Sequence, residues 1–542
     1  MPKPLSRLSE FLYRLSDAWL EFKRVKFGIA ALILLVILIS ASLYVLVAWD
    51  YPKEVDRWLR IQLWVENPKT VPPCWFLSMT GTPIAETAAY SFTPGRPEIS
   101  NESIEGTTFY EASIIHKAVV PAEIKSPGMP SDVRIKLIMN TLSEEAKKLE
   151  EEGLIFGFTE KYSLVIIRPD NLNFTLVHDA SLSTLGNLTY PDTIVYYERF
   201  EQKIVKIQKS VSLKNIPKEH LKAVEELAQI YKDYNVTTDV IASALTELIL
   251  SELTPEALKG EYKVLQGKYL FILTVNRTLI YDAANPVPEL RSFISKVKDE
   301  NPVREFKIYL LGNCFGFLGT DIFGRDVFKG VLLGVPWALI IGLSVAFLAI
   351  MIGAIYAVVA GYVGGYVEEV MLRVVDVINN LPALPLFIAI QAFIGLNIWG
   401  IIGLMVALYW TGPVLTIRAM VLQIKESTYI EAAKSIGAGP LRIIFRHILP
   451  QVLPYAFAIM ALSVPSAILT EAGLSFLGLG DPKTPTWGKM LQETRTPNWD
   501  AAASGWWWWF IPPGLAIALV GTTFILLGRA LETIYNPRLR KA

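Results

Sequence analysis

Long apolar runs without charged residues alternate along this chain with one long stretch in which charges are frequent. The first run, 28–49, has 22 uncharged residues, and a helix of that length covers roughly the 30 Å hydrocarbon core of a bilayer. The run 377–417 is too long for one span, and its internal Pro and Gly residues favour a fold-back. The pattern predicts six transmembrane helices, at about 28–49, 331–356, 381–397, 399–423, 451–471 and 508–529.

Residues 50–317 form the polar stretch, and we predict that they fold as a water-soluble α+β domain inserted after the first span. Segments 141–152 and 217–234 are typical of exposed helices, and Pro217 suits a first helical turn. Strands are predicted where β-branched and aromatic residues concentrate, at 162–167, 193–197 and 269–275. The predicted organisation is therefore a tail with one span (1–49), the insertion (50–317) and a five-helix core (318–542).

Composition supports a membrane protein and excludes several other classes. The chain is 52% hydrophobic and 19% charged, whereas soluble domains average about 25% charged residues. Lys+Arg and Asp+Glu are equal at 51 each, so the net charge predicts no nucleic-acid partner. Four His and two Cys are too sparse for a structural metal site, and no G-x-x-x-x-G-K-[ST], HExxH or GxSxG sequence is present. We expect no metal, no cofactor and no enzymatic activity in this chain itself.

The distribution of Lys and Arg predicts the orientation. If both termini are cytoplasmic, sixteen Lys and Arg fall on cytoplasmic segments and three on the short external loop 472–507, as the positive-inside rule requires. The insertion 50–317 then lies outside the cell membrane.

Two marks agree with an external insertion. It contains five N-x-[ST] sequons, whereas chance predicts about one or two, and glycosylation and chance both remain open. The sequons are at Asn101, Asn173, Asn187, Asn235 and Asn276. Cys74 and Cys314 bracket the insertion, either as a disulfide that ties its ends together or as two unpaired buried thiols.

The loop 424–450, predicted to be cytoplasmic, has a distinctive local pattern. Thr428 and Glu431 are spaced as a capping box, which predicts a helix of about eight residues from Tyr429. Gly437 ends this helix, and a second helix begins at Pro440. The small residues of the first helix would let another surface approach its backbone closely. They are Ala432, Ala433, Ser435 and Gly437.

EAAKSIG followed by RHILP resembles the EAA loop of ABC importer permeases. The segments LGTDIFGRDVF (318–328), 360–385 and 471–491 resemble the C-type permeases of dipeptide and oligopeptide importers. His447, where many families have Ile, fits this narrower group. The resemblance is strong over about 318–538 and weak over 1–49, and the insertion resembles no family that we identify.

The resemblance implies a type I ABC importer permease fold, a polytopic α-helical membrane protein that carries peptides, oligosaccharides or similar solutes. It also implies a homologous second permease, two ATPase subunits that bind ATP and Mg, an extracellular substrate-binding protein and surrounding lipid. The resemblance places Glu431, Ala432, Ala433, Gly437, Leu449 and Pro450 in the motif positions. ATPase coupling falls to residues of the first helix of the loop and to the glycine that ends it. They are Thr428, Tyr429, Glu431, Ala432, Ala433, Lys434 and Gly437.

Several alternatives stay open at this point. Glu431 acts either as a helix cap alone or as a cap that also contacts the ATPase. Glu471, at the outer end of the fifth span, is either a pathway or gate residue or a carboxylate at the membrane interface. Glu368 and Glu369 read as a solvated loop. The insertion serves either to dock the binding protein or to shield the pore mouth. A different hypothesis is a membrane-anchored sensor or enzyme whose external domain is the active part. A further hypothesis is an export permease, and the EAA loop argues against it because this loop is a feature of importers.

Overall fold

A computed structural model describes residues 26–535, except 65, 95–96, 105–107, 141, 182–195, 201–202, 213–221, 232–240, 242–243, 285–286 and 497–498. The chain divides into two compact units. The membrane unit combines Met1–Arg60 with Val327–Ala542, and the inserted unit is Ile61–Asp326. The predicted insertion, 50–317, is offset from this division because residues after 50 pack with the membrane unit. There the Tyr51 hydroxyl donates to the Leu333 carbonyl at 2.9 Å.

The helices of the described residues are α1 (Lys26–Ala48), α2 (Tyr51–Leu59), α3 (Cys74–Thr80), α4 (Ser143–Glu151), α5 (Lys222–Ile230), α6 (Leu245–Leu250), α7 (Pro288–Asp299), α8 (Val327–Val363), α9 (Gly365–Asn379), α10 (Ala383–Ile394), α11 (Ile398–Tyr409), α12 (Val414–Lys425), α13 (Thr428–Ser435), α14 (Pro440–Ile443), α15 (Leu449–Phe476), α16 (Trp487–Glu493) and α17 (Trp507–Tyr535). Short 3-10 turns lie at Ile61–Trp64 and Ala257–Lys259, and a π-helical turn, Ile444–Ile448, joins α14 to α15.

The strands are β1 (Ala88–Ser91), β2 (Thr93–Pro94), β3 (Glu98–Ser103), β4 (Phe109–Ile124), β5 (Asp132–Asn140), β6 (Ile155–Ile167), β7 (Asn173–Ser181), β8 (Tyr196–Phe200), β9 (Lys203–Ser212), β10 (Gly267–Asp282), β11 (Val303–Leu311), β12 (Arg495–Thr496) and β13 (Trp499–Asp500).

Four of the described helices are long and apolar enough to cross a membrane: α1, α8, the continuous stretch Pro440–Phe476 and α17. Two pairs, α9 with α10 and α11 with α12, pass the same test together, but they are bent by 72° and 49°. Length and composition therefore give four spans, or up to six if each bent pair is one span. This agrees with a polytopic helical membrane protein and is compatible with the predicted six spans.

The largest departure from the prediction is α9. Segment 365–379 carries charges and was interpreted as a loop around Glu368 and Glu369, but it forms a helix of 15 residues. Charged residues do not break a helix when they are exposed, as Glu369 is, or paired, as Glu368 is with Arg418, so the loop prediction was wrong here. The turn at 380–382 then bends the chain into α10, where Pro382 precedes the first helical residue.

The inserted unit is built on two antiparallel sheets. Their orders are β1-β11-β5-β9-β8 and β2-β4-β10-β6-β7, with β3 added to β4. Along β10, buried and partly exposed residues alternate, as expected for a strand with one face toward a core. Buried residues of both sheets, with α5 and α6, form one hydrophobic cluster that includes Val120, Ile166, Phe271 and Ile308.

The predicted elements of the inserted unit can be compared where the structure describes them. Segment 141–152 contains α4, and segment 217–234 contains α5, although 217–221 and 232–234 lie outside the described residues. Segments 162–167 and 269–275 lie within β6 and β10. Of segment 193–197, only 196–197 is described, and it begins β8.

Candidate coupling loop and membrane cavity

The short helix α13 starts one residue earlier than the capping box predicted. Its N-cap is Ser427, which makes no side-chain cap because its hydroxyl donates instead to the Ile424 carbonyl at 2.5 Å. Thr428 already belongs to the helix. The Glu431 N–H donates to the Ser427 carbonyl at 3.2 Å, as in an ordinary helical turn, and not to the Thr428 hydroxyl as the capping box requires. The predicted capping box is therefore absent, and with it the interpretation of Glu431 as a cap alone.

The other end of α13 has a well-defined stop. Gly437 has a φ of +85°, the left-handed conformation that glycine adopts readily. Its N–H donates to the Lys434 carbonyl at 2.9 Å, and the Ala438 N–H donates to the Ala433 carbonyl at 3.0 Å. These two bonds define a Schellman motif, which satisfies carbonyls that a helix end otherwise leaves unpaired. The helix is thus a short, rigid element.

The loop has one buried and one exposed face. Ile430 is fully buried in a cluster with residues of α8, α12 and the π-helical turn, and Ala433 is 7% exposed. Ala433 was predicted to lie on the exposed small face, but it points inward because residues three apart share one side of a helix. The outer face carries the remaining motif residues, all of them exposed. They are Thr428, Tyr429, Glu431, Ala432, Lys434 and Gly437.

Two exposed apolar residues of this loop escaped the sequence analysis. Ile436 is 87% exposed and Leu441 is 71% exposed, on either side of Gly437. A large aliphatic side chain so open to water at the end of a rigid helix suggests a contact with another protein. The sequence signal was present, since two aliphatic residues flank the Gly-Ala-Gly turn of the loop, but exposure cannot be read from an apolar residue alone.

The membrane unit also contains a half-open cavity of about 360 Å³. Apolar residues of α8 and α11 form much of its wall. Its polar lining, Asn379, Tyr409, Thr411, Ser463 and Ser466, contains amide and hydroxyl groups but no charge. These residues come from α9, from the bend between α11 and α12, and from α15. Sequence reasoning identified none of them, because Ser and Thr in an apolar helix also satisfy themselves on their own backbone.

Glu471 lies on α15 but does not line this cavity. Its side chain is buried, and its Oε1 accepts a 2.6 Å hydrogen bond from the Ser475 hydroxyl. The Thr486 hydroxyl also bonds the carboxyl group. Gly334 and Trp487 adjoin it in a much smaller pocket of about 10 Å³. Glu471 is thus enclosed by neighbouring helices, and both its pathway role and its place at the membrane interface stay predictions.

In the inserted unit the structure joins Cys74 and Cys314 in a disulfide. Of the sequons, Asn101 lies on the exposed strand β3 and Asn173 is exposed at the start of β7. Asn276 lies in the central strand β10, where its Oδ1 accepts a 2.9 Å hydrogen bond from the Ser113 hydroxyl. The sequons at Asn187 and Asn235 lie outside the described residues.

A bundle of apolar helices with a polar-lined cavity and a short, exposed helix fits a membrane permease. Residues 349–541 match the family described as the binding-protein-dependent transport system inner membrane component. The dipeptide transport system permease protein DppC of Bacillus subtilis is 36% identical over 226 residues, which are 42% of this chain and 69% of that protein. The chain belongs to this family and is a permease subunit of an ABC importer, a transport subunit rather than an enzyme.

Two further relatives give the same result. The glutathione transport system permease protein GsiD of Pectobacterium atrosepticum is 34% identical over 225 residues, 41% of this chain and 73% of that protein. The oligopeptide transport system permease protein OppC of Bacillus subtilis is 34% identical over 227 residues, 42% of this chain and 72% of that protein.

Proposed function

We propose that this permease subunit carries peptides, or solutes of similar size, and is driven through α13 and Gly437 by a cytoplasmic ATPase. The observation that carries the proposal is the rigid, exposed end of α13, where Ile436 and Leu441 offer apolar surface to a partner. The relatives named for dipeptide, oligopeptide and glutathione transport support peptides as the solute class. The uncharged amide and hydroxyl lining of the cavity suits a peptide main chain.

The partners follow from the same proposal. A homologous second permease completes the pathway, and two ATPase subunits bind ATP and Mg, so this chain holds no cofactor. Each ATPase receives one EAA loop. The contact residues are the exposed motif positions Thr428, Tyr429, Glu431, Ala432, Lys434 and Gly437, together with Ile436. A substrate-binding protein delivers the solute from outside.

In this topology both termini are cytoplasmic and the inserted unit is outside the cell membrane. The excess of Lys and Arg on the segments predicted to be cytoplasmic supports this topology. The disulfide supports an external inserted unit, because such bonds persist in oxidising compartments. We favour glycosylation at Asn101 and Asn173, which are exposed, over Asn276 in the central strand. The inserted unit would dock the binding protein or shield the pore mouth; a membrane-anchored sensor or enzyme is disfavoured because the transport relatives match the membrane unit.

The test is uptake by vesicles that contain the assembled transporter. Ile436→Asp and Glu431→Lys alter only exposed side chains of the loop, so the thermal stability of the chain should not change. We expect the ATPase to be lost from both variants during purification. ATP-driven peptide uptake should fall roughly tenfold or more, because a few residues contribute most of the binding energy of an interface. Glu369→Lys, an exposed charge reversal on α9, is the control. Normal uptake by both loop variants would contradict the proposal.

A further inference from the structure

The chain makes a sharp corner between α8 and α9, at residues 361–368. Gly364 has a φ of +71° and Gly365 a φ of +59°, both in the left-handed region. A residue with a side chain is strained in that conformation, so two successive glycines make the corner possible. A Cβ on Gly364 would also lie 3.4 Å from the Lys425 Nζ atom. The corner therefore lies against the end of α12, the helix that leads into α13.

Three contacts join this corner to the segment that carries the coupling helix. Arg418 on α12 forms an ion pair with Glu368, in which the Arg418 Nε donates to the Glu368 Oε1. Lys425 Nζ donates to the Gly361 carbonyl at 3.5 Å. Lys434, on α13 itself, places its Nζ 5.8 Å from the centre of the Tyr362 ring. The corner thus contacts the middle and the end of α12 and also the following helix, α13.

The ion pair is the strongest of these three contacts, because both of its side chains are largely buried. The side chains of Arg418 and Glu368 are only 30% and 15% exposed, so their attraction is screened less by water than that of a surface pair. Glu368 also lies in the first turn of α9, where the helix dipole favours a negative charge. Removal of either partner leaves a partly buried charge without its counter-charge.

The far end of α9 forms part of the cavity wall. Asn379, its last residue, lines the cavity and accepts a hydrogen bond from Thr411. Asn379 lies eleven positions after Glu368, which corresponds to roughly 16 Å along a continuous helix. A helix of that length transmits a push at one end to the other with little bending. Displacement of Glu368 would therefore move the polar wall of the cavity.

We infer that Glu368 and Arg418 are positioning residues that transmit the movement of α13 through α9 to the cavity. The inference rests on the proposed function, since it requires an ATPase that moves α13. Neither residue needs to touch the solute or the ATPase. When α12 and α13 move, the ion pair pulls the corner in the same direction, and the chain bends at Gly364 and Gly365. The pair thus links ATP hydrolysis to opening of the pathway.

The experiment compares transport with ATP hydrolysis in the complete reconstituted transporter. The variants are Glu368→Gln, Arg418→Gln and the charge exchange Glu368→Arg with Arg418→Glu. We expect the single variants to assemble and hydrolyse ATP, while peptide uptake per ATP falls about tenfold. The charge exchange should recover most of that ratio. Glu369→Gln is the matched control, because its pair with Arg373 lies 3.8 Å apart and is 66% and 75% exposed; it should not alter the ratio.

The outcomes separate the inference from the proposed function. If the unaltered transporter takes up no peptide in the presence of ATP, the proposed function fails. If the unaltered transporter takes up peptide and the single variants keep a normal uptake per ATP, the proposed function stands and only the inference about Glu368 and Arg418 is wrong. A structural defect would reduce uptake and hydrolysis together, leave their ratio unchanged and count against the inference. Should a single variant fail to assemble, Arg418→Lys, which keeps the positive charge, should retain the normal ratio, and the charge exchange should retain most of it. A charge exchange that assembles but loses about tenfold in uptake per ATP overturns the inference.

Discussion

The Thr411 hydroxyl donates a 2.6 Å hydrogen bond to the Asn379 Oδ1 and so joins the two bends of the membrane unit. Asn379 ends α9 just before the 72° bend, and Thr411 lies in the 49° bend between α11 and α12. Thr411 is 2% exposed, whereas Asn379 is open to the cavity that both residues line. The bond therefore fixes the position of one bent helix pair relative to the other at the wall of the cavity.

We expect Thr411→Val to lower the free energy of unfolding by about 1 kcal/mol, since valine keeps the shape but removes the donor. Thermal unfolding of the purified chain in detergent measures this change. Thr523→Val is the matched control, because Thr523 is fully buried but its hydroxyl bonds only to the Leu519 carbonyl of its own helix. Equal stability losses in the two variants would mean that the link between the bends contributes nothing of its own.

The stop of α13 gives a second prediction. Gly437→Ala should destabilise the loop by about 1 kcal/mol, because alanine is unfavourable at positive φ. A clash is not the reason, since no atom lies within 4 Å of a Cβ built on Gly437. Faster hydrogen exchange of the 433–438 amides and reduced uptake are the expected observations.

Gly439 supplies the control for this change. Its surroundings are equally open, but its φ is −69°, which suits any residue. Gly439→Ala should therefore leave amide exchange unchanged or slow it slightly. If the two alanine variants behave alike, the left-handed conformation of Gly437 is not what makes the loop rigid.

Some parts of this molecule follow from the sequence for plain physical reasons. The length of an uncharged run can be read directly from the sequence, so the membrane helices could be predicted from windows such as 28–49. Gly437 marks a helix end because glycine adopts positive φ readily. The capping-box prediction was wrong because the helix begins at Thr428 itself, which therefore cannot be its N-cap, and spacing alone does not reveal the first helical residue. The pairing of Glu368 with Arg418 depends on how α9 and α12 pack, which no local pattern encodes.

The disulfide of the inserted unit leads to a third prediction. Cys74 and Cys314 are 240 residues apart in the chain, so their bond restricts the unfolded ensemble strongly. We expect Cys74→Ser to lower the free energy of unfolding of this unit by about 2 to 5 kcal/mol. Cys314→Ser and the double variant should match it, because all three remove the same bond. Calorimetry with and without a reductant measures the effect, and a reductant that destabilises the double variant as much as the native chain would contradict it.

The last prediction concerns His116 on β4. The ring is buried, and its Nε2 has no hydrogen-bond partner among the residues that the structure describes. Burial lowers the pKa of His116, the nearby charge of Arg277 lowers it further, and a bond to the Val297 backbone opposes both. Glu160 and Tyr162 are the other titratable side chains of this face; Glu160 bonds to Arg277 at 2.8 Å.

A lowered pKa means that folded His116 stays neutral where the unfolded chain, with a pKa near 6.5, already binds a proton. Its contribution to stability is therefore present above about pH 6.5 and is lost as the pH falls toward the folded pKa, by up to about 1.4 kcal/mol per pH unit. In His116→Gln, which keeps a donor but does not titrate, this loss should be absent. Calorimetric unfolding of both chains between about pH 5 and pH 7.5 measures the difference, in which all other titrating groups cancel. Parallel curves would show that His116 takes up its proton equally well in the folded and unfolded states.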